Sequence, residues 1–186
     1  MKIAITGHTK GIGKALYDGF KAQGHEVIGF NRSTLANIAT DIGISKIAEE
    51  AKDCDIFINN AYDTSRLKTC MAFAQTVLLY KMWEQWQGQN KKIICIGSRT
   101  SDNYHTVVWP YAIHKRALDE AVKQLRSLND SKPHIINLKP GYVDTEQISY
   151  VKDKVKMDPN YVFEVCDWVL KQPHMVFDFS FGPRQG

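Results

Sequence analysis

The chain of 186 residues is long enough for one compact domain with a single core, and its 44% hydrophobic and 24% charged residues are those of an ordinary globular protein. The net charge is only +4, and the Lys and Arg residues are scattered, forming no group larger than an adjacent pair such as Lys91-Lys92. This argues against the basic stripe of a nucleic-acid binder and suits a small anionic ligand. No apolar run approaches the ~20 residues of a membrane helix.

Apolar, β-rich runs alternate with helical patterns along the whole chain. "KIAIT" from Lys2 predicts a first strand that leads directly from Met1, so no signal peptide is expected. "GIGKALYDGFKAQG" predicts a helix with Ile12, Leu16 and Phe20 inward and Gly24 as its stop. "HEVIGF" is a second strand, "IATDI" a weak third, and a short helix follows near Ser45 to Lys52. "DIFINN", "KKIICIG", "HIINLK" and "MVFDFSF" complete seven strands, with helices at about Leu67–Gln87, Tyr111–Leu128 and Pro159–Lys171. Asp158 and Pro159 suit the N-cap and first turn of the last helix.

Continuously apolar strands separated by helices predict a parallel sheet covered on both faces, in one doubly wound α/β domain over residues 1–186. The helix Leu67–Gln87 carries two apolar stripes, one with Met71, Ala74, Leu78 and Met82, the other with Phe73, Val77, Tyr80 and Trp83. Its second face needs a cover, supplied by another subunit or by the chain's own loops, and a homodimer or homotetramer is the simpler expectation.

Cys54, Cys70, Cys95 and Cys166 form no CxxC, and the six histidines form no HxxxH or HExxH pair, so no metal is expected. Free thiols, three of them in apolar stretches, fit a reducing compartment, and the expected location is the cytoplasm.

Gly7, Gly11 and Gly13 lie between the first strand and the first helix. Glycines there let the backbone approach a pyrophosphate, whose charge the helix N-terminus favours. Further on, Tyr111 and Lys115 stand four residues apart on one helical face with Leu118, Val122 and Leu125. Spacing alone fits either a helix rim or a chemical pair.

The TGxxxGxG spacing of "TGHTKGIG" resembles the short-chain dehydrogenase/reductase family, and four further segments agree with it in order. Asn59-Asn60-Ala61 looks like that family's NNAG motif; "IICIGS" resembles its strand-to-serine segment; "YAIHK" is similar to its YxxxK, thirteen residues beyond Ser98; and "KPGYVDT" resembles its PG-x-x-x-T segment. The resemblance spans residues 3 to about 145. It implies a Rossmann-like, doubly wound three-layer α/β/α sandwich with a mostly parallel, seven-stranded sheet. It also implies an oxidoreductase that moves a hydride between a nicotinamide and a small carbonyl or alcohol. Tyr111 would be proton donor or acceptor, Lys115 would tune it and hold the nicotinamide ribose, and Ser98 would orient the substrate oxygen.

The cofactor would lie against Gly7, Thr9, Lys10, Gly11, Ile12 and Gly13, then Asn59, Asn60 and Ala61, and Pro140, Gly141, Val143 and Thr145. Relatives that prefer NAD carry an acid after the second strand; Asn31 and Arg32 stand there instead, so Arg32 with Lys10 favours NADP(H) over NAD(H). Asp41 and Ile42 resemble the adenine-edge pair. Three departures stand out: Tyr62 replaces the NNAG glycine, His114 replaces a small residue before the lysine, and the helical asparagine of the relay has no match, Gln75 being near but out of register. Trp109, Tyr142 and His105 lie near the expected pocket, and only a short lid separates Thr145 from Asp158. The competing functions are a non-catalytic NADP(H)-binding sensor and a sugar-nucleotide epimerase or dehydratase, the latter disfavoured by the short C-terminal region and the glycine spacing.

Overall fold

The computed structural model describes residues 1–34, 36–63, 73–103, 109–128 and 132–184, and for Trp109 the backbone alone. Six parallel strands, β1 (Lys2–Thr6), β2 (Glu26–Phe30), β3 (Ile56–Asn59), β4 (Lys92–Ile96), β5 (His134–Pro140) and β6 (Asp178–Phe181), form one sheet in the order β2-β1-β3-β4-β5-β6. The connecting helices are α1 (Gly11–Ala22), α2 (Asp41–Ala51), α3 (Ala74–Trp86), α4 (Trp109–Ser127) and α5 (Pro159–Leu170). The strand order reverses beside β1, so the crevice for a ligand opens at its carboxyl end.

Alternation along the strands divides the core between the two sheet faces. Ala4, Phe57, Ile93, Cys95 and Ile135 pack with α2, α3 and α4, whereas Ile3, Ile5, Ile58, Ile94, Ile96 and Ile136 pack with α1 and α5. Trp86 is fully buried, its ring edge-on to Phe57 and its Nε1 donating to the Lys52 carbonyl at 3.2 Å, so α3 is bonded to the end of α2. Cys54, Cys95 and Cys166 are buried free thiols, with Cys54 pushed up to about 11 by burial; Cys70 lies outside the described residues.

Among the described residues the sheet has six strands rather than the expected seven, because "IATDI" does not form one. Asn37 Oδ1 accepts from the Ala39 amide at 3.1 Å, and the Asn37 carbonyl accepts from the Thr40 amide at 3.1 Å. Thr40 then caps α2 by accepting from the Gly43 amide at 3.1 Å. These local bonds turn the chain where a strand would have to run straight. They also start α2 four residues earlier than the expected helix near Ser45.

The second stripe of α3 is covered largely by the chain itself. Tyr80 and Trp83 pack against the core, and Tyr80 donates to Gln124 of α4 at 2.7 Å, leaving Val77 exposed. Residues 67–72 of the expected helix, including Met71, lie outside the described residues. Among the described residues no helix is long and apolar enough to cross a membrane.

Candidate active site

The site gathers at the carboxyl ends of β1, β3, β4 and β5. The glycine-rich loop leaves β1 through Gly7 at φ +72°, a conformation that costs other residues strain, and re-enters at Gly11, where α1 begins. A Cβ on Gly13 would stand 2.1 Å from the Gly7 carbonyl oxygen and 2.6 Å from Asn60 Nδ2, so helix and loop touch through backbone. Asn60 ties this loop to β3: its Nδ2 donates to the Thr6 carbonyl at 2.9 Å, and its amide donates to Thr6 Oγ1 at 3.0 Å, as does that of Ala61. The first amides of α1 have no partner within the helix and face this opening. The cradle therefore fits a phosphate group. Gly13→Ala should force the loop apart and cost about 1–3 kcal/mol, the usual range for overpacking, seen as a lowered Tm in thermal unfolding.

Around that cradle the expected cofactor residues take different roles. Thr9 and Lys10 are exposed, Lys10 reaching Glu146 Oε2 at 2.8 Å. Ile12 turns inward against the core. Thr145 meets Gly11, within 2.9 Å of a Cβ built there, while Val143 is buried and bridges to Met157, which holds the short lid. Pro140 ends β5, and the Gly141 amide donates to the Phe181 carbonyl at 2.8 Å. Asn31 spends its side-chain oxygen on a local turn, accepting from the Ser33 and Thr34 amides at 2.8 and 3.1 Å. Asp41 and Ile42 occupy the first turn of α2 rather than a strand end, both exposed.

Arg32 stands at the end of β2 and pairs with Asp63, its Nη2 3.1 Å from Oδ1. The guanidinium side chain is 62% exposed while that of Asp63 is 1% exposed. The pair joins the segments after β2 and β3 across the end of β1, where the strand order reverses. An acid is thus present beside Arg32 after all, delivered by a different segment from the one inspected in the sequence.

Ser98 ends the β4 segment, buried, and Tyr111 stands in the first turn of α4. Burial pushes the Tyr111 phenol up to about 12; its hydrogen bond with Ser98 pulls the other way, and Tyr150 of the lid adds to the rise. Lys115, one turn on, is buried with Nζ 5.6 Å from the Tyr111 ring centre. Burial draws Lys115 down to about 7, Cys95 opposing. The two groups are therefore both drawn toward their neutral forms. Burial, rather than Lys115, dominates the state of the phenol here.

Gln75 resolves the missing relay residue in part. Its Oε1 accepts from Lys115 Nζ at 2.8 Å, and the Ile96 carbonyl accepts from the same nitrogen at 2.7 Å. Gln75 Nε2 donates to the Asn59 and Ile96 carbonyls at 2.6 and 3.1 Å, and Asn59 Nδ2 donates back to the Gln75 carbonyl at 2.8 Å. A side-chain amide thus holds Lys115 directly, which register alone could not reveal. Tyr62 and His114 are also joined, as described below, while His105 lies outside the described residues and Tyr142 is exposed.

No family model matches the chain, and no curated protein matches it. Solved structures do. An alcohol dehydrogenase from the archaeon Thermococcus sibiricus, complexed with 5-hydroxy-NADP, is 18% identical at a TM-score of 0.77, covering 99% of this chain and 96% of that one. A 3-alpha-hydroxysteroid dehydrogenase from a Pseudomonas species, complexed with NADH, is 18% identical at a TM-score of 0.80, over 98% and 95%. A short-chain dehydrogenase from Burkholderia cenocepacia in complex with NADP is 17% identical at a TM-score of 0.79, over 98% and 88%. The chain has the fold of the short-chain dehydrogenases/reductases.

Proposed function

We propose that the protein is an NADP(H)-dependent oxidoreductase acting on a small carbonyl or alcohol. The observation that carries this reading is the convergence of Ser98, Tyr111 and Lys115 beside a glycine cradle at the strand ends. A nicotinamide bound there supplies or accepts the hydride. Tyr111 holds its proton at neutral pH, since burial pushes the phenol up to about 12, and so stands ready to protonate an alkoxide. Ser98, bonded to that phenol, orients the substrate oxygen toward it. Lys115 places its nitrogen at the ring of Tyr111 and supplies a donor toward the nicotinamide ribose.

Gly7, Thr9, Gly11, Ile12 and Gly13 would hold the pyrophosphate, and Asn59, Asn60, Ala61, Pro140, Gly141, Val143 and Thr145 would wall the remaining cofactor. Arg32 favours a 2′-phosphate, with Lys10 nearby on the loop; Asn31, Asp41 and Ile42 belong to the adenosine end of the same reading. Both cofactor forms are found in the structural relatives, so the preference rests on Arg32 and not on likeness. A cytoplasmic homodimer or homotetramer completes the reading, although Tyr80 and Trp83 already pack on their own subunit.

The test is a panel of small carbonyls with NADPH or NADH, followed by nicotinamide absorbance. Consumption with at least one carbonyl, and a higher kcat/KM with NADPH, is expected. Tight NADPH binding without turnover on any carbonyl or alcohol would instead identify a dinucleotide sensor.

A further inference from the structure

Two residues replace small ones in the motifs of the resemblance, Tyr62 after Asn59-Asn60-Ala61 and His114 before Lys115. They are 52 positions apart, yet Tyr62 Oη lies 2.8 Å from His114 Nδ1. Burial, and then the charge of Lys115, disfavour the imidazolium, so a neutral ring shares one hydrogen with the phenol across this bond. The bond fixes the Tyr62 ring at one place. It meets the Tyr111 ring edge-on, centres 5.0 Å apart at 81°, and its own centre is 5.7 Å from Lys115 Nζ. The lysine nitrogen thus lies almost equally far from two phenol rings, while Gln75 Oε1 and the Ile96 carbonyl accept its hydrogen bonds. Phe73 closes over His114 in turn, ring centres 5.1 Å apart.

We propose that Tyr62, tethered by His114, is a positioning residue that shields the Lys115 ammonium from water and holds it against Tyr111. The inference deepens the reading of Tyr111 and Lys115 as the proton-donating centre and draws its functional meaning from that reading. A packing role alone would not require a hydroxyl at one position and a ring nitrogen at the other.

The shield has a signed consequence. Among the described residues, the titratable groups facing Lys115 are Tyr111 and His114 on its own helix, Tyr62 after β3 and Cys95 on β4, with neutral Gln75 on α3, and no carboxylate acts on it. Its low value, about 7, comes from burial. Removing the ring readmits water and favours the ammonium, so the midpoint rises. Losing the ring's attraction for the cation acts the other way but is the smaller effect, because 5.7 Å is close to the ~6 Å limit of such contacts.

The test is an NMR titration of the cofactor-free full chain labelled with carbon-13 at lysine Cε, with the Lys115 signal assigned by Lys115→Arg. Tyr62→Gly should raise the Lys115 midpoint by about one unit or more. Tyr62→Phe and His114→Ala, milder changes that break the same bond, should each raise it by less, and the double variant should match the singles. A wild-type midpoint in Tyr62→Gly, or strictly additive shifts for Tyr62→Phe and His114→Ala, would overturn the proposal. The titration needs no turnover, so its failure is separate from failure of the oxidoreductase reading, which the carbonyl panel decides. Where turnover is measured, the fall in carbonyl reduction as Lys115 loses its proton should move to higher pH by the same amount.

Discussion

Tyr111→Phe should lower kcat for carbonyl reduction by about 10²–10⁴-fold, the usual worth of a positioned general acid, while NADPH affinity stays within about threefold. The substitution is conservative in this site. The ring is retained, so the edge contact with Tyr62 and the approach of Lys115 survive. What disappears is the hydroxyl, its bond to Ser98 and its proton. That proton is present at any pH near neutrality because burial holds the phenol near 12. Steady-state kinetics paired with a fluorescence titration of NADPH separates the two effects. An unchanged kcat would remove Tyr111 from the chemistry.

Arg32→Ser should reduce kcat/KM for NADPH by about 10–100-fold and leave NADH within about threefold. The size follows from a hydrogen bond to a charged group, worth about 1.5–3 kcal/mol, at 1.4 kcal/mol per decade. Charge reversal is the less clean experiment. A carboxylate at position 32 would face buried Asp63 and add repulsion that has nothing to do with the cofactor. Asp63 supplies the complementary test. Bonded to Arg32 at 3.1 Å, it competes with a 2′-phosphate for the guanidinium and offers a carboxylate suited to ribose hydroxyls. Asp63→Asn should therefore raise the NADPH-to-NADH ratio of kcat/KM by about tenfold. Equal kcat/KM for the two cofactors in wild type, unmoved by either substitution, would show that this pair does not select the cofactor.

Strand and helix order was legible because the apolar runs are continuous where a strand is covered on both faces, as in "IICI" of β4. The glycine loop was legible because backbone contact between Gly13 and Gly7 leaves no room for a side chain. Spacing left Tyr111 and Lys115 as a rim or a chemical pair; the resemblance singled them out with Ser98, and the structure brings the three together. Contacts between segments with no common period were not legible. "IATDI" has strand-like composition, but Asn37 and Thr40 bond locally and turn it. Gln75 is out of register for a relay residue and still reaches Lys115, its side chain being one methylene longer than that of asparagine. The Asp63 partner of Arg32 and the His114 partner of Tyr62 each come from a distant segment and carry no spacing signal.

The central claim is that this site moves a hydride between NADP(H) and a carbonyl carbon, with Tyr111 supplying the proton. It is tested most directly with NADPH deuterated at the nicotinamide carbon that donates the hydride, incubated with the best carbonyl of the panel. The product alcohol should carry deuterium at its carbinol carbon with wild type and be formed more slowly with Tyr111→Phe by about 10²-fold or more, the lower end of what a positioned general acid contributes. NADPH bound by wild type with no deuterated alcohol from any carbonyl would contradict it.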